Sequence, residues 1–118
     1  MMLLIVDDNA AMRRLLRRLT GDLAESVEEC ANGAEALAAY ERHHFGGADW
    51  VLMDIEMPVM DGLTATRQLR AAHPEARIVI VTKHNDEEVR AAAFRDGACG
   101  FVPKDNLLEL RALISAAA

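Results

Sequence analysis

Apolar residues fall in short blocks along this chain, and each block is followed by a stretch with helical spacing. Met2-Leu3-Leu4-Ile5-Val6 is a continuous apolar run, which predicts a strand buried on both faces. It ends in Asp7-Asp8-Asn9, where Asn9 or Asp8 can cap a helix. In that helix Met12, Leu15, Leu16 and Leu19 form a core-facing stripe, Arg13, Arg14, Arg17 and Arg18 take the other side, and Gly21 stops it. Ser26 to Ala31 reads as a weaker strand, polar enough for a sheet edge. Asn32-Gly33 then turns the chain into a helix from Ala34 to about Arg42, with Ala34, Leu37, Ala38 and Glu41 on one side. His43-His44-Phe45-Gly46-Gly47 reads as the loosest loop. Trp50-Val51-Leu52-Met53 is the next buried run, and it leads straight into Asp54.

The second half repeats the pattern. Leu63 to Ala72 reads as a helix closed by His73-Pro74. Arg77 to Thr82 is a strong strand of β-branched residues. Asp86-Glu87-Glu88 puts negative charge at the start of a fourth helix, matching its dipole, and Gly97 ends it. Cys99 to Pro103 is a short last strand, with the proline suited to a strand end. Asn106 is expected to cap a final helix carrying Leu107, Leu110 and Ile114. Strand-then-helix alternation with short connections predicts an α/β fold: a parallel sheet with right-handed crossovers and helices on both faces.

In such a sheet the loops at the strand carboxyl ends share one side, where ligands bind. Asp54 alone reads as readily as a turn or cap residue. The parallel arrangement changes that, because Asp7, Asp8, Asp54, Thr82 and Lys104 all lie at those ends. Two carboxylates about 4 Å apart repel by roughly 4 kcal/mol at an effective dielectric of about 20. A cation or a proton must relieve that. Lys104 supplies one charge, and a hard divalent ion would supply the rest. Mg²⁺ suits a carboxylate pair, several waters and a phosphoryl oxygen, with Mn²⁺ as an alternative. The set fits phosphoryl transfer, with Asp54 as nucleophile forming an acyl phosphate.

Composition narrows the class further. The 118 residues make one domain, read as residues 1–118. Hydrophobic residues are 52% and aromatics only 4%, so the core is aliphatic. A net charge of -6 argues against a nucleic-acid backbone or anionic membrane as partner. No apolar run approaches a membrane span, and Met1–Val6 is too short for a signal peptide, so a cytoplasmic location is expected. Cys30 and Cys99 have no metal or redox spacing and read as small core hydrophobes. His43-His44 lacks companion ligands and reads as an ordinary loop pair.

These residues resemble the receiver domain of bacterial two-component response regulators. The resemblance spans the chain from Met2 to the last helix. It rests on Asp7-Asp8, Asp54, Thr82 and Lys104, on Met57-Pro58-Val59-Met60-Asp61-Gly62 after Asp54, and on Phe101. It implies a flavodoxin-like (βα)5 three-layer sandwich with strand order 2-1-3-4-5. It implies that Asp54 is the phosphoacceptor, that Thr82 and Phe101 are the switch pair, and that Asp7, Asp8, Asp54 and the Glu56 carbonyl form the metal site. The implied partner is a sensor histidine kinase or phosphotransfer protein docking on the first helix, and the implied output is a changed surface on helix four, strand five and helix five. Homodimerisation on phosphorylation, through helices four and five or one and five, fits the same family. The resemblance implies a switch that catalyses its own phosphorylation and dephosphorylation, not a conventional enzyme.

Two other classes compete. An aspartyl phosphohydrolase would place its acids two residues apart on one early strand and carry a substrate-binding insertion. A pseudo-receiver would lack part of the site. The chain departs from the family in Lys83, where a small residue is common, so Lys83 is expected to alter entry of phosphate or water. Asp105 follows Lys104 where the family often has a cis-bonded proline, so no cis bond is expected there. Glu56 and His84 are expected to flank the mouth of the site and tune hydrolysis.

Overall fold

The computed structural model describes residues 1–116. Its strands are β1 (Met2–Val6), β2 (Ser26–Cys30), β3 (Trp50–Met53), β4 (Arg77–Thr82) and β5 (Gly100–Pro103). Its helices are α1 (Ala10–Thr20), α2 (Gly33–Arg42), α3 (Gly62–Ala72), α4 (Glu87–Arg95) and α5 (Leu108–Ala116). All strand pairs are parallel, in the order β2-β1-β3-β4-β5. The edge position expected of the polar strand β2 is observed.

Strand side chains alternate between the two faces, and the alternation builds two cores. Leu4, Val6, Val51, Met53, Ile78 and Ile80 pack with buried residues of α2, α3 and α4. Leu3, Ile5, Leu52, Val79, Val81 and Val102 pack with Leu16 of α1 and with Leu110 and Ile114 of α5. A strand facing two helical layers must be apolar where both layers cover it, which is why β1, β3 and Ile78–Val81 of β4 read as unbroken apolar runs.

The helix starts follow one chemistry. Asn9, Asn32, Asp61 and Asp86 each accept a backbone N–H from the first turn of α1, α2, α3 and α4. For α1 the cap is therefore Asn9, leaving the Asp8 side chain free for other work. The last helix differs from expectation. Lys104–Asn106 forms a 3₁₀ turn and α5 begins at Leu108, so Asn106 does not precede the helix as a cap.

Three other expectations are corrected. The buried side of α2 is Gly33, Ala36, Ala39 and Tyr40; of Ala34, Leu37, Ala38 and Glu41, Leu37 packs partly buried against the same core while Ala38 and Glu41 are exposed. The small residues let α2 approach α3: a β-carbon on Gly33 would lie 2.8 Å from the Ala65 β-carbon. The loop His43–Gly47 is not loose. Phe45 is buried beside the Tyr40 ring, and Asp49 accepts hydrogen bonds from the N–H groups of Gly46 (2.8 Å) and Met2 (2.6 Å). Cys30 is buried as expected, but Cys99 is exposed because it precedes the edge strand β5. Among the described residues no peptide bond is cis, including Lys104–Asp105. No described helix is long and apolar enough to cross a membrane.

Candidate functional site

The parallel ladder runs one step past the apolar strands, and that step assembles the site. Val6 pairs with Met53, and the next amide, that of Asp54, donates to the Val6 carbonyl at 2.9 Å. The Asp7 amide likewise donates to Cys30 at 3.1 Å. Asp7 and Asp54 thus leave neighbouring strands side by side, both buried. On the other flank Thr82 pairs with Pro103, which brings Lys104 out beside them.

Lys104 reaches across both acids. Its Nζ lies 2.8 Å from Asp7 Oδ2 and 3.3 Å from Asp54 Oδ1. The other Asp7 oxygen accepts the Asn9 amide at 2.9 Å, and the Asp7 carbonyl accepts Arg13 Nη1 at 2.6 Å. Arg13 and Arg17 of α1 also share Glu29, at 3.0 and 2.8 Å. Half of the expected basic face is therefore a structural clasp to β2. Among the described residues Arg14 and Arg18 form no ion pair.

Asp8 is exposed and completes an acidic group. One carboxylate oxygen from each of Asp7, Asp8 and Asp54 lies within 4.8 Å of the others. Any two ionised members repel by about 3 kcal/mol or more at an effective dielectric of about 20. The strain appears at Asp54: burial first, and the Asp7 charge second, push its carboxyl above the ordinary carboxylate range, while Lys104 pulls it back. Burial also works against the Lys104 ammonium, but its hydrogen bond to Asp7 and the charges of Asp54 and Asp7 outweigh that and raise its pKa. One ammonium does not balance three carboxylates. Hard oxygen donors with residual negative charge suit Mg²⁺ or Mn²⁺, so the residues present fit a divalent ion. No other described group of carboxylates, histidines and cysteines has such geometry, and His43-His44 is not among them.

The acids open into a cleft of about 330 Å³ whose lining also includes Glu56, Lys83, His84 and Lys104. Glu56 Oε1 and His84 Nε2 touch across the mouth, which joins the two flanking residues into one bridge. Two residues named for the site stand apart from the cleft wall. Thr82 is buried, and its hydroxyl accepts the His84 amide at 3.1 Å. Phe101 is buried in the core on the α2–α3–α4 side, with the Arg90 guanidinium 5.4 Å from its ring centroid.

The loop after Asp54 has its own logic. Val59 takes φ +69°, and the Gly62 N–H donates to the Ile55 carbonyl at 2.8 Å, folding the chain back onto the strand end. Glu56 and His84 line the cleft as expected, but their contact with each other, and the bonds of Asn9 and Arg13 to Asp7, are not legible in the sequence. A side chain that binds a backbone carbonyl, or a contact between residues 28 positions apart, leaves no mark in residue spacing.

Comparison with known proteins places this arrangement. The family model for the response regulator receiver domain matches residues 3–116. The chain belongs to that family. This receiver is 37% identical over 101 residues to the chemotaxis protein CheY of Halobacterium salinarum, covering 86% of this chain and 82% of that protein. It is 34% identical over 100 residues to the DNA-binding transcriptional regulator NtrC of Escherichia coli, covering 85% of this chain but only 21% of NtrC. Among solved structures it resembles CheY in the CheX–CheY–BeF3–Mg complex from Borrelia burgdorferi, with a TM-score of 0.86, 25% identity, and 99% and 89% of the two chains covered.

Proposed function

We propose that this receiver is a phosphorylation-dependent switch in a two-component phosphorelay, with Asp54 as phosphoacceptor. The observation that supports it most is the Lys104 amine held between Asp7 and Asp54 beneath an open cleft. The donor is a phosphohistidine on a histidine kinase or phosphotransfer protein. An Asp54 carboxylate oxygen attacks phosphorus, the phosphorus–nitrogen bond breaks, and the leaving imidazole keeps its electron pair and takes a proton. Lys104 holds phosphoryl oxygens and offsets the charge gathered there. Asp7, Asp8, Asp54 and the Glu56 carbonyl would hold Mg²⁺, which when bound supplies the missing positive charge. The Borrelia burgdorferi CheY complex with CheX contains BeF3 and Mg, and that supports the same reading of this cleft.

The Thr82 hydroxyl gives up the His84 amide to bond the new phosphoryl group, and Phe101 responds as its neighbour moves. The surface of α4, β5 and α5 changes with them. This is a population shift between two packings, biased by one added set of contacts. Water later cleaves the acyl phosphate and resets the switch. Residues 1–118 act as one domain in the cytoplasm, and α1 presents Arg14 and Arg18 to the kinase. Homodimerisation of the phosphorylated form is part of the same proposal. The chain turns over no substrate beyond its own phosphate.

Incubation with acetyl phosphate and Mg²⁺ tests this. The protein should acquire one labile phosphate that Asp54→Asn abolishes. Repeated turnover of a small phosphate ester would favour a hydrolase instead. A chain that stays unmodified would favour a binding module.

A further inference from the structure

Two lysines line the cleft, and their situations are opposite. Lys104 is committed to Asp7 and Asp54 at 2.8 and 3.3 Å. Lys83 is exposed, lines the same cleft, and among the described residues has no hydrogen bond or ion pair. Its backbone is nonetheless fixed in place. It stands between Thr82, the buried last residue of β4, and His84, whose amide is bonded to the Thr82 hydroxyl at 3.1 Å and whose ring is tied to Glu56. An anchored backbone thus presents an unpaired ammonium at the lip of an acidic cleft.

The charge count gives that ammonium a role. The lining holds the carboxylates of Asp7, Asp8, Asp54 and Glu56 against the ammonium groups of Lys104 and Lys83. A divalent ion and Lys104 together offset three of those four negative charges, and Lys83 offsets the last. Without Lys83, an anionic phosphodonor would enter a mouth that still carries net negative charge. We propose that Lys83 is a donor-binding residue: its ammonium takes the phosphoryl oxygens of the incoming donor at the lip and hands them inward to Asp54 and Lys104. It acts on capture, not on bond breaking. This rests on the reading of Asp54 as phosphoacceptor.

An exposed ion pair of this kind is worth up to about a fivefold change in affinity, and salt screens it. The test titrates the Mg²⁺-loaded protein with inorganic phosphate, following amide shifts of the cleft residues by NMR, for wild type, Lys83→Met and Lys83→Arg. In parallel, each is phosphorylated with subsaturating acetyl phosphate. Lys83→Met should weaken phosphate binding about threefold and slow phosphorylation by the same factor. Lys83→Arg should restore both, and high salt should erase the difference. Unchanged or tighter phosphate binding in Lys83→Met would overturn the assignment, and so would slower phosphorylation with unchanged binding. If wild type is phosphorylated and Lys83→Met matches it, only the Lys83 role falls. If wild type binds phosphate but is never modified, the receiver reading itself falls.

Discussion

Gly62 stands directly against the main chain of Asp54: a β-carbon built on Gly62 would lie 1.8 Å from the Asp54 carbonyl oxygen. The first turn of α3 therefore uses its missing side chain to press on the proposed phosphoacceptor. The obstacle is backbone, so no side-chain rotation relieves it. Gly62→Ala should displace Asp54 from Lys104 and destabilise the fold by about 1–3 kcal/mol. Urea denaturation measures the second effect, and the rate of phosphorylation by acetyl phosphate measures the first. Both should fall.

Asp54 and its neighbours make stability depend on pH and on divalent ions. The Asp54 carboxyl is raised by burial and then by Asp7, so the folded chain holds that proton more tightly than the unfolded one. A raised carboxyl contributes stability below its unfolded value near about 4 and loses it as pH rises through the folded value. At neutral pH the ionised group is a burden. Without divalent ions, Asp54→Asn should melt above wild type at pH 7, and the gap should narrow as pH falls toward about 4. Added Mg²⁺ should raise the wild type more than the variant. Thermal melts across pH, with and without Mg²⁺, check both signs.

Val59 is 83% exposed and sits at φ +69°, a conformation that β-branched residues adopt at a cost. Nothing is gained there in burial. Val59→Gly or Val59→Asn should stabilise the protein by about 1 kcal/mol, raising the melting temperature by a few degrees. Since the side chain points away from the core, the phosphorylation rate should hold to within about twofold. A lower melting temperature for both variants would show that Val59 packs on something.

Tyr40 is buried between Phe45 and His73, with ring centroids 5.4 and 4.8 Å away, and its hydroxyl has no partner among the described residues. Burial first, then Glu75 and Asp49, push the phenol up to about 12. An unsatisfied buried hydroxyl costs about 1–3 kcal/mol. Tyr40→Phe keeps the ring and removes that cost, so it should match or exceed wild type in a denaturant titration. A loss above about 1 kcal/mol would mean the hydroxyl has a partner.

The residues differ in how plainly their roles can be read from sequence. Leu3 to Val6 and Ile78 to Val81 announce themselves because a strand under two helical layers tolerates no polar position. Asp7, Asp54 and Lys104 were legible as strand-end residues, but their meeting depends on the order β2-β1-β3-β4-β5, which no local pattern encodes. In α2 the alanines make both sides look apolar, so only packing against α3 decides that Ala36 and Ala39 face inward. Asp49 ties Met2 to Gly46, a role with no sequence signature because carboxylate-to-amide bonds are not encoded in residue spacing. Cys99 follows the average behaviour of its residue type poorly because it borders an edge strand.

Position-resolved detection of the acyl phosphate tests the central assignment most directly. Protein exposed to acetyl phosphate and Mg²⁺ is reduced with borohydride, which converts an aspartyl phosphate to an alcohol, and is then mapped by peptide mass spectrometry. Reduction at position 54, absent without Mg²⁺ and absent in Asp54→Asn, is the predicted result. Reduction at Asp7 or Asp8, or none at all in a natively folded protein, would contradict it.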